Sequence, residues 1–204
     1  MKKVIFLSII VLNVLLTSCA SAYKEISPNT QNYLSSNEDD GVLLQYKYDV
    51  LKKKKYYKKE AKKGIKVVSL KITNKTNDEL IFGKDIKLVN SQGIDLLLAS
   101  NSETYDILKQ KSGLYFLYLL LGFVSVNTFD EYGNIDNSIP VGLVIGPGVA
   151  LGNFFVANTA NKKLKGELTS YDLYGKTIKS GETVYGMIGI KAESAETINI
   201  KVIN

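Results

Sequence analysis

The sequence predicts a mainly β fold, a sandwich of about seven strands interrupted by an inserted apolar α-helical hairpin. Apolar and polar residues alternate in several short segments, and turn residues separate these segments. Two long uncharged segments stand between the early and the late strands. The length of 204 residues suits one globular domain with an additional segment rather than two full domains.

The N-terminus has the pattern of an export signal. Lys2 and Lys3 precede the apolar run from Val4 to Leu16, and small residues follow in "LLTSCASA". A basic start, a short apolar run and small residues predict a cleaved secretory signal peptide rather than a transmembrane helix.

The segment Leu16-Thr17-Ser18-Cys19 resembles the lipobox of bacterial lipoproteins. The resemblance implies that residues 1–18 are removed and that Cys19 becomes the first residue, acylated with chains such as palmitate. The other interpretation is a buried thiol that follows an ordinary signal peptide. Ala20 after the cysteine resembles the sorting signal for the outer membrane, so we expect an exported protein anchored there by lipid.

Composition excludes several classes of chemistry. All 26 basic residues are lysines, and the chain has neither His nor Arg, so it lacks a side chain whose unperturbed pKa lies near neutrality and a bidentate anion ligand. Removing residues 1–18 leaves 24 lysines against 20 acids, a formal charge of +4 that does not require a nucleic-acid partner. A single cysteine cannot form a disulfide within the chain.

Residues 19–41 read as a flexible polar tether, because Ser, Asn and acidic residues dominate without periodicity. Strand patterns begin at Val42, where "VLLQYKYDV" alternates, and continue in "IKVVSLKITN". Late strands are predicted in "TVYGMIGIKA" and over Ile198 to Val202. The predicted β domain therefore covers residues 42–204.

Two phrases of this domain carry a family resemblance. "VVSLKITNKTNDELIF" and the later "IKSGETVYGMIGI" resemble the immunoglobulin-like domains of bacterial lipoproteins, and the chain is similar to lipoproteins of Bacteroidetes type. The resemblance implies an immunoglobulin-like sandwich. It transfers no active site, because the shared motifs concern the fold alone.

The inserted hairpin is predicted over about residues 103–168, with Ser100 and Glu103 in capping-box spacing before it. The windows between Lys111 and Asp130 and between Asp136 and Lys162 contain 18 and 25 uncharged residues, which is long enough to span a membrane. Against spanning, the lysines flank the ends that would lie outside the inner membrane, which is contrary to the positive-inside rule.

Glycines in the second arm of the hairpin have the small-xxx-small spacing that lets helices pack closely. Pro147 in the same arm should break or kink a helix. We expect the hairpin to pack within the protein or between copies, with insertion into lipid as the alternative. The candidate packing residues are Gly142, Gly146, Gly148 and Gly152.

The run "KKKKYYKKEAKK" at residues 52–63 is the most charged segment. A solvated connection between strands is the ordinary outcome for such a run. The functional alternative is a patch for membrane surfaces or other anionic ligands, in which each lysine contributes on the order of 1 kcal/mol. Its residues would be Lys52, Lys53, Lys54, Lys55, Lys58, Lys59, Lys62 and Lys63.

Catalytic and metal-binding patterns are weak. Glu38, Asp39, Asp40, Asp49 and Asp172 could serve a hydrolase only if two of them converge. The segment "DEYGNID" lacks the spacing of a calcium loop, and no Gly-x-Ser-x-Gly occurs. We therefore predict no enzyme activity, no metal and no cofactor.

The sequence thus predicts a lipid-anchored envelope protein with a non-catalytic binding or scaffolding role at the membrane. Its predicted partners are membrane lipid, through acylated Cys19, and another envelope protein or a second copy, through the hairpin. The alternative is a membrane-inserting or pore-forming protein that acts through the glycine-rich hairpin.

Overall fold

The computed structural model describes residues 19–203. These residues form a mixed structure of 11 strands and three α-helices, with 34% of residues helical and 29% in strands, so a mainly β chain is not confirmed. The predicted signal peptide at residues 1–18 lies outside the described residues.

The β-strands are numbered in chain order, and the first six lie before the apolar insertion. They are β1 (Ser35–Asp39), β2 (Val42–Lys47), β3 (Lys66–Asn74), β4 (Leu80–Ile81), β5 (Ile86–Val89), β6 (Leu98–Ala99), β7 (Val126–Phe129), β8 (Ile135–Ile139), β9 (Thr177–Ile178), β10 (Thr183–Ile190) and β11 (Asn199–Val202). The α-helices are α1 (Lys54–Lys63), α2 (Asn101–Leu108) and α3 (Gly142–Ser170), and two 3₁₀ helices cover Pro28–Thr30 and Ser112–Phe123.

The chain divides into two compact units. The apolar unit contains described residues 19–22 and 110–161, and the β-rich unit contains residues 23–109 and 162–203. Helix α3 runs through both units, with Asn161 as the last residue in the apolar one.

The β-rich unit is built on a five-stranded antiparallel sheet in the order β1-β2-β3-β10-β6. Two smaller antiparallel pairs, β5 with β11 and β4 with β9, accompany it. One apolar cluster joins Leu44 and Leu70 of the large sheet to Ile86 and Ile200 of the β5–β11 pair. The alternating pattern predicted for β2 and β3 is present, because apolar side chains of both strands lie in this cluster.

The segment predicted as a flexible tether is instead packed. Tyr23 and Ile26 are buried, and β1 pairs with β2 through a two-residue turn. Asp40 and Gly41 occupy this turn with φ of 41° and 78°, the positive values that a tight hairpin requires. The polar composition concealed the strand, because β1 is a largely exposed edge strand with no apolar face.

Side chains of β1 also reach β11. The Asn37 Nδ2 donates to the carbonyl oxygen of Ile198 at 2.6 Å, and its Oδ1 accepts from the Ile200 N–H at 2.8 Å. The Val202 N–H donates to the Asp39 carboxylate at 2.9 Å. The polar side chains of "SSNED" therefore satisfy backbone groups of β11.

The apolar unit differs from the predicted α-helical hairpin. Its first arm is the 3₁₀ helix Ser112–Phe123, its tip is the antiparallel ribbon β7–β8, and only its second arm is α-helical. Helix α3 continues through Pro147, so of the predicted break or kink a break does not occur.

Candidate functional site

The most unusual surface of the molecule lies on the apolar unit. We call Ser112–Phe123 and residues 142–160 of α3 the apolar arms. Helix α3 is long and apolar enough to cross a membrane, and only 22% of its most apolar window is buried. A core helix of a soluble protein would be mostly buried. The predicted packing within the protein therefore covers only a minority of the residues in this window.

Large apolar side chains of both arms are exposed. On the first arm Phe123 is 88% exposed, and on α3 Val144 is 79% exposed. The other outward side chains of the arms are Leu114, Phe116, Leu117, Leu119, Leu120, Leu143, Ile145, Leu151, Phe155 and Val156.

The two arms pack against each other in an antiparallel manner. A Cβ atom on Gly142 would lie 1.8 Å from the Leu121 carbonyl oxygen, and one on Gly146 would lie 3.0 Å from that of Tyr118. Farther along, the Phe116 and Phe154 rings are 4.9 Å apart. Gly142 and Gly146 thus occupy the seam between the arms.

The other two predicted packing glycines, Gly148 and Gly152, do not lie in the seam between the arms. A Cβ atom on Gly148 or Gly152 would meet no described atom within 4 Å. Both residues lie on the exposed face of α3. They do not pack against another described element, and their role in packing stays a prediction.

The residues after Cys19 run along these arms. The Ala20 N–H donates to Asn153 Oδ1 at 2.5 Å, and Ala20 packs against the cluster of Tyr115, Tyr118, Ala150 and Ala157. Cys19 itself is exposed. The residue predicted to carry lipid is therefore adjacent to the exposed apolar surface.

The tip of the apolar unit is acidic and solvated. Asp130, Glu131 and Asp136 are all exposed. The Asp130 carboxylate accepts the backbone N–H groups of Asn134 at 2.7 Å and Tyr132 at 2.9 Å, and these bonds lower its pKa. Its oxygens organise the turn of the ribbon, and no metal-binding group of three ligands occurs among the described residues.

The lysine run forms helix α1, which connects β2 to β3. Within α1, Tyr56 and Glu60 are buried, while Lys54, Lys58 and Lys62 recur at helical spacing on the exposed side. The Lys59 ammonium instead donates to the carbonyl oxygen of Leu108 at 3.3 Å. An anionic-ligand role for the exposed lysines stays a prediction.

Glu60 is the buried titratable group of this helix, with 1% of its surface exposed. It accepts the Val67 N–H at 2.7 Å. Burial raises the pKa of its carboxyl to about 7, although the Val67 N–H and the charge of Lys66 act in the opposite direction. Glu60 lies among lysines in the sequence, a pattern that does not predict its burial.

Three of the five carboxylates considered for hydrolysis have structural partners. Glu38 pairs with Lys75 at 2.6 Å, Asp39 accepts from Val202, and Asp172 Oδ1 accepts the Tyr174 N–H at 3.0 Å. Asp49 lies in a left-handed conformation with φ of 53°.

The β-rich unit also carries a groove that the sequence did not indicate. Two recesses of about 380 and 260 Å³ share Phe82, Leu98 and Tyr174 in their walls. Tyr174 is 76% exposed, and its ring lies against Gly83, where a Cβ atom would be 3.0 Å from the ring. The residues come from three separate parts of the chain, so no local motif marks them.

Comparison of the chain with protein-family models, with curated proteins and with solved structures gives no match.

Proposed function

We propose that this chain is a lipid-anchored protein of the bacterial envelope, exported and held at the outer membrane by acylated Cys19, with a non-catalytic binding or scaffolding role. We further propose that the apolar arms contact the bilayer directly. The observation that carries the proposal is the exposure of the arms beside Ala20, which is bonded to Asn153.

Exposed apolar side chains in this number favour contact with a surface that removes them from water. Soluble monomers rarely expose contiguous apolar patches larger than a few hundred Å². Each large apolar side chain that is removed from water contributes roughly 1.5–3 kcal/mol. Twelve such side chains on the arms therefore favour any surface that excludes water from them.

The position of the predicted anchor favours lipid as that surface. Acyl chains on Cys19 would leave the protein beside the arms, because Ala20 packs against Tyr115, Ala150 and their neighbours. An apolar surface next to the acylated residue would enter the same leaflet as the acyl chains and add its own buried apolar area to membrane binding.

The β-rich unit is the proposed binding or scaffolding part. We propose an immunoglobulin-like arrangement for it, supported by the single cluster that joins the large sheet to the β5–β11 pair. The proposal of a non-catalytic role is supported by the absence of His from the sequence and by the structural bonds of Asp39 and Asp172. The groove beside Tyr174 offers a surface for a partner.

The test is membrane partitioning of a Cys19→Ser variant, exported with a cleavable signal and separated into soluble and carbonate-washed membrane fractions. The proposal predicts that the arms keep this variant in the washed membrane. An Ile145→Glu change on the same background should release it, because Ile145 is 52% exposed on α3 and a charge in hydrocarbon costs about 3 kcal/mol, a loss of roughly 100-fold in partitioning. The matched control is Leu34→Glu, because Leu34 is 85% exposed on the β-rich unit.

Two outcomes would overturn or extend the proposal. A soluble, monodisperse Cys19→Ser protein would show that the arms do not bind the bilayer, and an oligomer would identify a second copy as their cover. Leakage of dye from vesicles that contain the wild-type protein would favour the pore-forming alternative over a scaffold.

A further inference from the structure

We infer that the apolar arms cross the entire hydrocarbon core as a hairpin and carry the acidic ribbon β7–β8 to the opposite side of the membrane. The inference rests on the proposed function, because it requires the arms to contact lipid. It concerns the apolar unit alone and assigns its ribbon to the far side of the bilayer.

The length of the arms supports a full crossing. The Ala20–Asn153 bond places the predicted anchor within one helical turn of Val156, which we take as the near boundary of the hydrocarbon. From Val156 to Gly142, α3 rises about 21 Å. The uncharged chain between Gly142 and Ile139 adds at most about 3.3 Å per residue, which brings the total close to 30 Å. Entry into one leaflet would need only about half of this length.

Charges stand at both ends of the arms and are absent between them. Lys111 and Lys162 lie at the base, where the arms join the rest of the chain. Lys162 is six residues past Val156, about 9 Å along the helix, and its long side chain can reach the lipid phosphates. At the other end, Asp130, Glu131 and Asp136 lie on the exposed ribbon. Ionised carboxylates are costly in hydrocarbon, so the ribbon belongs in water or among headgroups.

The backbone hydrogen bonds also favour hydrocarbon around the arms and water around the ribbon. Helical arms satisfy their own N–H and C=O groups, which hydrocarbon requires. The ribbon has two strands and therefore two open edges, which hydrocarbon does not tolerate. It leaves the arms at their far end, where the Gly142 N–H donates to the Val124 carbonyl oxygen at 2.9 Å. The ribbon is thus suited to the aqueous side beyond the arms.

The direction of the charges agrees with insertion after export. The positive-inside rule concerns loops that remain in the cytoplasm during insertion. A chain that is exported and then enters a membrane from outside the cytoplasm keeps its lysine-flanked base on the side of entry. The acidic tip then reaches the opposite leaflet.

The absence of Trp from the sequence provides a test by fluorescence. Single Trp residues are introduced at the exposed positions Phe155, Ile145 and Phe129 of the full acylated protein in phosphatidylcholine vesicles with lipids brominated at different depths. A full crossing predicts that Ile145→Trp is quenched best by bromine near the bilayer centre. Phe155→Trp and Phe129→Trp should both be quenched best by bromine near the headgroups.

A second readout tests the side of the tip. Because acylation blocks Cys19, a Tyr132→Cys change would create the only reactive thiol, and it should be protected from a membrane-impermeant maleimide until detergent is added. Tyr57→Cys, on the exposed side of α1, is the control that reacts from outside.

The outcomes separate this inference from the proposed function. If Phe129→Trp is quenched as deeply as Ile145→Trp and Tyr132→Cys reacts from outside, the arms enter one leaflet and the inference is overturned while the proposed function stands. If no Trp is quenched, the arms do not contact lipid and both fail.

Discussion

Gln110 and Asn161 exchange two buried hydrogen bonds at the base of the apolar arms. The Gln110 N–H donates to Asn161 Oδ1 at 2.7 Å, and the Asn161 Nδ2 donates to the Gln110 carbonyl oxygen at 2.8 Å. The Gln110 side chain bonds both backbone groups of Ser21, at 2.6 and 3.0 Å. Three segments that are distant in sequence therefore meet at one pair of amides.

An Asn161→Ala change should open this base. It removes both hydrogen bonds between the Asn161 side chain and the backbone of Gln110, at a cost of about 0.5–1.5 kcal/mol for each bond. We expect faster trypsin cleavage at Lys109, Lys111 and Lys162, measured on the full chain in mild detergent.

The matched control is Asn158→Ala, which removes the same side chain from the same helix at a half-buried position. Equal cleavage of the two variants would contradict a special role for Asn161. Loss of all structure in the Asn161 variant, seen by circular dichroism, would show that the amide pair supports more than the base.

Glu167 should hold residues 23–27 on α3. Its carboxylate accepts the Tyr23 hydroxyl at 2.6 Å and the backbone N–H groups of Ile26 and Ser27 at 2.8 and 2.7 Å. A Glu167→Gln change replaces one acceptor oxygen with a donor, so a loss of about 1.5–3 kcal/mol is expected. Amide exchange at Ile26 and Ser27 should accelerate accordingly.

The comparison for this variant is Glu25→Gln. Glu25 pairs with Lys163 at 3.1 Å, but both side chains are more than half exposed, at 58% and 51%. Exposed pairs contribute only about 0–1 kcal/mol. A loss from Glu25→Gln as large as that from Glu167→Gln would refute the assignment.

The strands β2 and β3, which have apolar faces, could be predicted from the sequence, whereas the polar edge strand β1 could not. Alternation identified β2 and β3 because one face of each strand enters the core. β1 has no such face, and its pairing depends on the Asp40–Gly41 turn and on bonds from Asn37 to β11. Such bonds depend on distant segments, which a local pattern does not contain.

For the long apolar segments, the sequence predicted the composition of the arms but not which of their side chains are exposed. Hydropathy identified both arms and the charged tip, because these depend on composition alone. It did not show that the side chains face outward, that the first arm is a 3₁₀ helix, or that Ala20 contacts Asn153. A window of apolar residues is the same for a core helix and for a lipid-facing one.

The glycine of β10 at position 186 permits close packing that the sequence did not indicate. A Cβ atom there would lie 2.2 Å from the side chain of Leu173, which is fully buried. Gly186→Ala should destabilise the β-rich unit by about 1–3 kcal/mol, because the core has no space for the methyl group. Urea unfolding of the full chain, followed by amide exchange in β3 and β10, measures this loss.

Gly166→Ala is the opposite control. Gly166 lies in α3 with no described atom within 4 Å of an added Cβ, so alanine adds helix propensity without a clash. We expect a gain of about 0.5–1 kcal/mol. Equal effects at the two glycines would show that packing against Leu173 does not limit position 186.

Glu60 should make stability depend on pH in the direction opposite to an ion-paired acid. Its pKa is about 7 in the folded protein against 4.5 for the ordinary side chain, so the folded state binds the proton more tightly. Stability is therefore greatest below the unfolded pKa and falls as pH rises toward 7, by at most about 3 kcal/mol. Glu60→Gln keeps an oxygen for the Val67 N–H but cannot ionise, so urea midpoints from about pH 5 to about pH 9 should lose this decline. The exposed Glu79→Gln variant should retain the wild-type profile, and parallel profiles for wild type and Glu60→Gln would show that burial of Glu60 has no energetic consequence.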